Sequence, residues 1–197
     1  MVKKPKKKIK IFIKSVHRDI KPGNILLNKF GDVKIADFGM VGSNQTIYST
    51  YQGTFHYMSP ERLRGEVHSF NSDIWSLGLT LGQCAIGKFP IELKEDNPLW
   101  EMMMSVQEQQ ECNLIIEKED FSVEFYDFIK HCLVVDPKLR PSAEELLEHS
   151  FITKYETEEM SLGRWLDLNY VQIIKKKKQK KQEIVNKNET TTTTIIT

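Results

Sequence analysis

Apolar positions fall in register with an α-helix over several stretches of this chain and with short strands over one. Ser72 to Gly87 is apolar nearly all round, which predicts a central, buried helix capped by Ser72 or Asp73. Phe121, Phe125, Phe128, Ile129 and Leu133 share one helical face within 121–135. Ser142 to His149 predicts a further helix, with Ser142 and Glu145 spaced as an S-x-x-E capping box. Leu99 to Gln110 predicts another, in which Met102, Met103 and Met104 serve as packing. Between Ser15 and Gly39, two short strands are expected around Asn28-Lys29-Phe30-Gly31-Asp32, a run of turn-favouring residues. The sum is a mostly α fold with one short β-hairpin.

The pattern lapses in three places. Residues 1–14 are lysine-rich and interrupted by Pro5, so they have no face to bury. Met40 to Gln52 is hydroxyl-rich and weakly periodic, the composition of a loop. Beyond Lys175 the chain is lysine-rich and ends in a threonine run, which reads as disordered. The first and last lapses set off 1–14 and a tail at 175–197; between them we distinguish a core at 15–152 and an extension at 153–174. Leu162-Gly163-Arg164-Trp165-Leu166 in the extension is expected to pack back on the core.

Composition changes this picture only modestly. The chain has 197 residues, 40% hydrophobic and 28% charged, enough for one domain with a real core. No apolar run approaches the ~20 residues needed to cross a bilayer, so no membrane partner is expected. The net charge of +1 hides an asymmetry. Six lysines within residues 3–10 and six within 175–181 carry twelve of the 28 basic charges, leaving 16 against 27 acidic residues. An acidic core with basic flanks argues against nucleic-acid binding by the core. Cys84, Cys112 and Cys132 are odd in number and lack metal-type spacing, which suits reduced thiols in a cytoplasmic or nuclear compartment. His131 and His149 read as packing or surface histidines.

Candidate chemistry concentrates before and after the predicted hairpin. Asp19, Lys21 and Asn24 share one short loop, and Asp37 follows the second strand. Asn24 and Asp37 are hard oxygen ligands of the kind Mg²⁺ takes alongside phosphate oxygens. Asp19 can accept the proton of an attacking hydroxyl, and Lys21 can neutralise charge on a phosphoryl group in flight. The set suits metal-assisted phosphoryl transfer.

His17-Arg18-Asp19-Ile20-Lys21-Pro22-Gly23-Asn24 followed by Asp37-Phe38-Gly39 resembles the catalytic-loop and metal-loop pair of the protein kinases. The resemblance covers about residues 15–152 and implies a kinase C-terminal lobe using ATP and Mg²⁺. It assigns Asp19 as base, Lys21 to the phosphate, and Asn24 and Asp37 to the metal. Asp37 to Glu61 is similar to an activation segment, closed by Gly53-Thr54 and Tyr57-Met58-Ser59-Pro60-Glu61-Arg62. Thr54 is then expected to support Asp19 and Lys21, Glu61 to pair with Arg140, and Asp73 to hold the catalytic-loop backbone. Ser59 and Ala85-Ile86-Gly87-Lys88-Phe89-Pro90 look like mitogen-activated protein kinase kinases in particular. In that subfamily Thr46 and Thr50, seven and three residues before Gly53, stand at the switch positions, where Arg18 could pair a phosphate.

The resemblance implies a mitogen-activated protein kinase as substrate and an upstream activating kinase as partner. Dual Thr/Tyr specificity is the finer implication. The lysines before Ile9, Ile11 and Ile13 are similar to docking segments of such kinases, although a solvated terminus is the simpler reading. No glycine-rich loop, strand lysine or partner glutamate precedes His17, so the N-terminal lobe is expected to be missing from these 197 residues and apolar surface exposed along 73–87. Three functions follow: a kinase present as a fragment, whose 197 residues alone are expected to be inactive, a non-catalytic docking lobe, or a remnant.

Overall fold

A computed structural model describes residues 15–38, 55–66, 69–91, 114–155 and 162–169. The predicted helix at Leu99–Gln110 lies outside them, as do Gly39, Thr46, Thr50, Thr54 and Cys112. The described residues are largely helical with one two-stranded sheet, and no helix among them is long and apolar enough to cross a membrane.

The elements follow in order. A single 3-10 turn at Pro22–Asn24 leads into β1 (Ile25–Leu27), which pairs with β2 (Val33–Ile35). Helices α1 (Pro60–Leu63), α2 (Phe70–Ile86), α3 (Val123–Cys132), α4 (Ala143–Leu147) and α5 (Ser150–Thr153) come next. Residues 162–169 form α6. Two compact units result: the described residues up to Ile25 with 35–155, and Leu26–Lys34 with 162–169.

In the larger unit, α2 is the central helix. Trp75 and Leu79 are wholly buried, each worth roughly 1.5–3 kcal/mol of apolar burial. They meet Met58, Leu63, Ile129 and Leu133 in the main core. Gly78 lets α2 and α3 approach closely, since an added Cβ would lie 2.6 Å from Cys132 Cβ. Ser76 Oγ donates to Tyr57 O at 2.7 Å, with Ser72 O at 3.2 Å, and Thr80 Oγ1 donates to Ser76 O at 2.7 Å, so their polarity costs the core little.

The helix starts earlier than its sequence suggests. Ser69 caps it by accepting from Asn71 N, and Gly87 ends it in the left-handed region at φ 74°. Ser72 and Asp73 are instead inside the first turn, because both side chains are committed to other segments. Ser72 Oγ donates to Glu61 Oε1 at 2.7 Å, and the Asp73 carboxylate takes two backbone N–H groups. Helix α3 likewise begins two residues after Phe121, where Ser122 Oγ accepts from Phe125 N. The capping box is present in full: Ser142 N donates to Glu145 Oε2 at 2.7 Å, and Glu145 N to Ser142 Oγ at 3.2 Å. Beside α2, Ile20, Phe70, Ile74 and Leu77 line an apolar groove of about 490 Å³.

In the smaller unit, Asn28 Oδ1 accepts from Phe30 N and Asp32 N, closing the turn between β1 and β2. Gly31 sits there at φ 85°, and α6 packs onto it. An added Cβ at Gly163 would come within 2.6 Å of Phe30 O. Leu26, Leu27, Phe30 and Val33 remain exposed.

Glu61 and Arg140 form a buried ion pair, with Oε1–Nη1 at 2.9 Å and Oε2–Nη2 at 3.1 Å. Burial alone would push the Glu61 carboxyl up. The Arg140 bonds and charge, with Ser72, outweigh it and hold the group at about 2, below its ordinary 4.5. A depressed carboxyl contributes stability that is complete above its unfolded value and lost as pH falls through the folded one. Urea denaturation from pH 6 to pH 2.5 should therefore show a loss of roughly 2–3 kcal/mol from this group. Arg140→Met, which strands the carboxylate, should cost about 3–5 kcal/mol at pH 7. A Glu61 Cδ titration midpoint at 4.5 or above in the NMR spectrum would sink this account.

Candidate active site

The loop at residues 17–24 is built around an unfavourable backbone conformation. Arg18 lies at φ 70°, in the left-handed region, which is uncommon for a bulky side chain and costs on the order of 1–3 kcal/mol. Asp73, in the first turn of α2, holds it there. Its Oδ2 accepts from His17 N at 2.6 Å and its Oδ1 from Arg18 N at 2.8 Å. Arg62 in α1 secures the other side of the same residue, donating from Nη1 to Arg18 O at 2.7 Å. Two segments distant in sequence thus clamp consecutive peptides of the loop.

His17 links the loop to the segment after β2. Its Nε2 donates to Ala36 O at 3.0 Å, and its Nδ1 accepts from Asp19 N at 3.3 Å. Those two bonds specify the neutral tautomer protonated on Nε2. The ring also packs edge-on against Phe38, with centroids 4.6 Å apart. His17 is 5% exposed, so its bonds are shielded from water.

The buried Asp19 carboxylate divides its labour between its two oxygens. Oδ2 accepts from Asn24 Nδ2 at 2.8 Å and meets Lys21 Nζ at 2.9 Å. Oδ1 is buried and has no hydrogen-bond partner among the described residues. Asn24 Nδ2 also donates to Asp19 O at 2.8 Å, which fixes the amide so that its nitrogen is spent on Asp19 and its carbonyl oxygen remains as a ligand atom. A buried carboxylate oxygen with nothing to accept from is costly in a loop that serves only to connect. It suits a group waiting for a proton.

Asp37 follows at φ 64°, a second strained non-glycine residue, and is exposed. The bond from Ala36 N to Asn24 O, 2.8 Å, ties the Asp37 segment to Asn24. A carboxylate and a carboxamide on neighbouring segments are the donor chemistry that Mg²⁺ prefers, and both can take an ion that also holds phosphate oxygens. The residues present therefore fit such an ion.

Of the residues singled out from sequence, the structure brings together His17, Arg18, Asp19, Lys21, Asn24, Phe38 and Asp73 by the contacts above, with Asp37 next in chain to Phe38. Glu61 and Arg140 form a separate buried pair. Gly39, Thr46, Thr50 and Thr54 are outside the described residues. Sequence reasoning missed Arg62, whose bond to Arg18 O has no local signature beyond its place after Glu61. It also missed Asn71, whose Nδ2 donates to Pro137 O (2.8 Å) and Arg140 O (3.1 Å). Cys132 offers no nucleophile, because burial pushes its thiol up to about 12, only partly offset by Arg140.

The protein kinase domain family model matches residues 13–152. Mitogen-activated protein kinase kinase 3 of Arabidopsis thaliana is 42% identical over 154 residues, 77% of this chain and 29% of that protein. Mitogen-activated protein kinase kinase SIPKK of Nicotiana tabacum is 41% identical over 157 residues, 76% of this chain and 43% of that protein. Dual specificity mitogen-activated protein kinase kinase dSOR1 of Drosophila melanogaster is 37% identical over 175 residues, 77% of this chain and 44% of that protein. The chain spans less than half the length of each of these three relatives.

If Asp73 holds the strained loop, Asp73→Ala should lower stability by about 2–4 kcal/mol through two lost charge-assisted bonds. Urea denaturation at neutral pH measures this. A loss under 1 kcal/mol would mean that Arg18 keeps its conformation for another reason.

Proposed function

This chain belongs to the protein kinase family and is most like the mitogen-activated protein kinase kinases, and from that premise we propose that it transfers the γ-phosphoryl group of ATP to hydroxyls of a protein substrate, itself a mitogen-activated protein kinase. The observation that carries this reading is the Asp19 carboxylate, with Oδ2 held by Lys21 and Asn24 and Oδ1 left without a partner among the described residues. The substrate hydroxyl oxygen attacks the γ-phosphorus, the bond to the β-phosphate oxygen breaks, and the hydroxyl proton passes to Asp19. Lys21 counters charge on the transferring group, and Asn24 and Asp37 would hold the metal. When bound, Mg²⁺ neutralises phosphate charge and orients the nucleotide. His17, Asp73 and Arg62 keep the base in place without touching substrate.

The finer part of the proposal is dual Thr/Tyr specificity, with activation by an upstream kinase at Thr46 and Thr50. The name of dSOR1 describes that protein as dual specificity, which supports extending the reading to this chain. Free thiols at Cys84 and Cys132 suit a reducing cytoplasmic or nuclear compartment.

A second reading, a docking module without catalysis, is favoured by the exposed apolar side chains Leu26, Leu27, Val33 and Ile35 on the hairpin. Phosphate transfer to a purified mitogen-activated protein kinase separates the two. Full-length protein with Asp19→Asn, which preserves shape and removes the base, should lose about 10²–10⁴-fold in kcat with an unchanged melting temperature. Equal activity of the variant would refute Asp19 as the base. Capture of the acceptor kinase without any phosphate transfer would leave the docking reading. In the same assay, Thr46→Ala with Thr50→Ala should abolish stimulation by an activating kinase while basal transfer persists. Undiminished stimulation would remove both residues from the switch.

A further inference from the structure

Away from the loop at 17–24, three side chains with metal-binding atoms converge where α3 meets the loop between α4 and α5. Asp127 and His131 stand one helical turn apart on α3, so both project from the same face. His149 reaches the same place from the other segment, where it also caps α5. The candidate ligand atoms of the three all lie within 4.8 Å of one another. His149 Nε2 is 3.1 Å from Asp127 Oδ2, and His131 Nδ1 is 3.5 Å from Asp127 Oδ1. The two imidazole rings stand 5.3 Å apart, edge to face.

Two of these separations match the spacing a small ion imposes. Ligands at about 2.0–2.2 Å from a tetrahedral Zn²⁺ are roughly 3.3–3.5 Å from one another. Both nitrogen–oxygen distances are within a few tenths of an ångström of that edge but end on different oxygens of Asp127, so an ion draws the three groups together from within 4.8 Å by turning the half-exposed carboxylate and imidazole. Two imidazoles and one carboxylate, with a further position left for water, form the donor set of open zinc sites. His149 has 12% of its side chain exposed, whereas Asp127 and His131 are about half exposed, so the site has one anchored ligand and an open mouth.

We propose that Asp127, His131 and His149 bind a divalent transition-metal ion, Zn²⁺ in the first instance, and thereby bridge α3 to the segment entering α5. The ion takes the place of hydrogen-bonded protons. His131 Nδ1 now donates to Asp127 O at 2.9 Å, and on binding that bond is given up and the proton moves to Nε2. His149 Nδ1 accepts from Phe151 N at 3.1 Å, which puts its proton on the Nε2 that faces Asp127. Ligation through Nε2 moves that proton to Nδ1, so the bond from Phe151 N is exchanged for the metal bond. This exchange makes the site one of moderate affinity and links metal occupancy to the start of α5. Nothing in phosphoryl transfer at Asp19 uses these residues, so the site is independent of the proposed activity.

The test is binding of Zn²⁺ to the purified full chain, by equilibrium dialysis and calorimetry with millimolar Mg²⁺ present. The expected result is one Zn²⁺ per chain that His131→Ala weakens at least tenfold, together with a Zn²⁺-dependent rise in melting temperature that the same variant abolishes. His131 is half exposed, so its removal leaves the fold intact, and the variant without metal should melt with the parent. Co²⁺ gives a second readout: a visible absorption band of a low-coordinate ion with nitrogen ligands, present in the parent and absent from His131→Ala. Zn²⁺ affinity unchanged by His131→Ala, or no stoichiometric binding with Zn²⁺ in excess over the chain, would overturn the proposal.

Discussion

Glu61 and Arg140 are 79 positions apart in the chain and meet with almost none of either side chain exposed. Isolated, each charge would cost several kcal/mol to bury, and their mutual attraction offsets that only if the remaining donors and acceptors are also satisfied. Here they are. Arg140 has five N–H groups and five acceptors: two Glu61 oxygens and the carbonyls of Asn71, Val134 and Val135. Glu61 takes a further bond from Ser72 Oγ, and the guanidinium carbon sits 5.1 Å from the Trp75 ring. One side chain therefore pins α1, the start of α2 and the turn before α4 to a single point. Apolar packing alone would hold these segments together without fixing how they are turned about one another. The charged pair fixes that orientation, because its bonds are directional.

That orientation is what the loop at 17–24 depends on. Asp73 lies two residues beyond the α2 residue Asn71 that Arg140 holds, and Arg62 follows Glu61 directly in α1. Fixing Glu61 and Asn71 consequently places the two groups that clamp Arg18. The strain at Arg18 is supported by bonds from α1 and α2, whose places the buried pair sets, and a backbone outlier persists at a functional position only when its surroundings hold it in this way. Core stability and site geometry are two consequences of the same contacts.

Much of this was legible in the sequence, and the boundary of legibility has a physical cause. The capping box at Ser142 and Glu145 was read correctly because its chemistry is complete within four residues. The central helix was recognised from its apolar content, but its start was misplaced. Ser72 and Asp73 have capping side chains, and only the tertiary structure reveals that each is already engaged, with Glu61 and with the loop backbone. Ser69, an equally competent cap, was left with that role. The pairing of Glu61 with Arg140, and of Asp73 with the loop, came from family resemblance, since neither has a local pattern. Arg62 and Asn71 escaped for the same reason: their partners are backbone carbonyls, which every residue offers.

His17 shows how the loop and the Asp37 segment act as one unit. The ring has two nitrogens with opposite roles, accepting from Asp19 N and donating to Ala36 O, so a shift of either segment disturbs the bond to the other. Ala36 N is in turn bonded to Asn24 O, closing a circuit through His17, Asp19, Asn24 and Ala36. The base Asp19 and the candidate metal ligand Asn24 are themselves corners of that circuit, and Asp37 adjoins a third, Ala36. A circuit of short bonds sets relative positions more tightly than any one of its members, because all must be broken together for one residue to move. This accounts for Asp19 keeping one buried oxygen without a partner among the described residues: the surrounding bonds hold it in place at a cost that a lone loop would relax away.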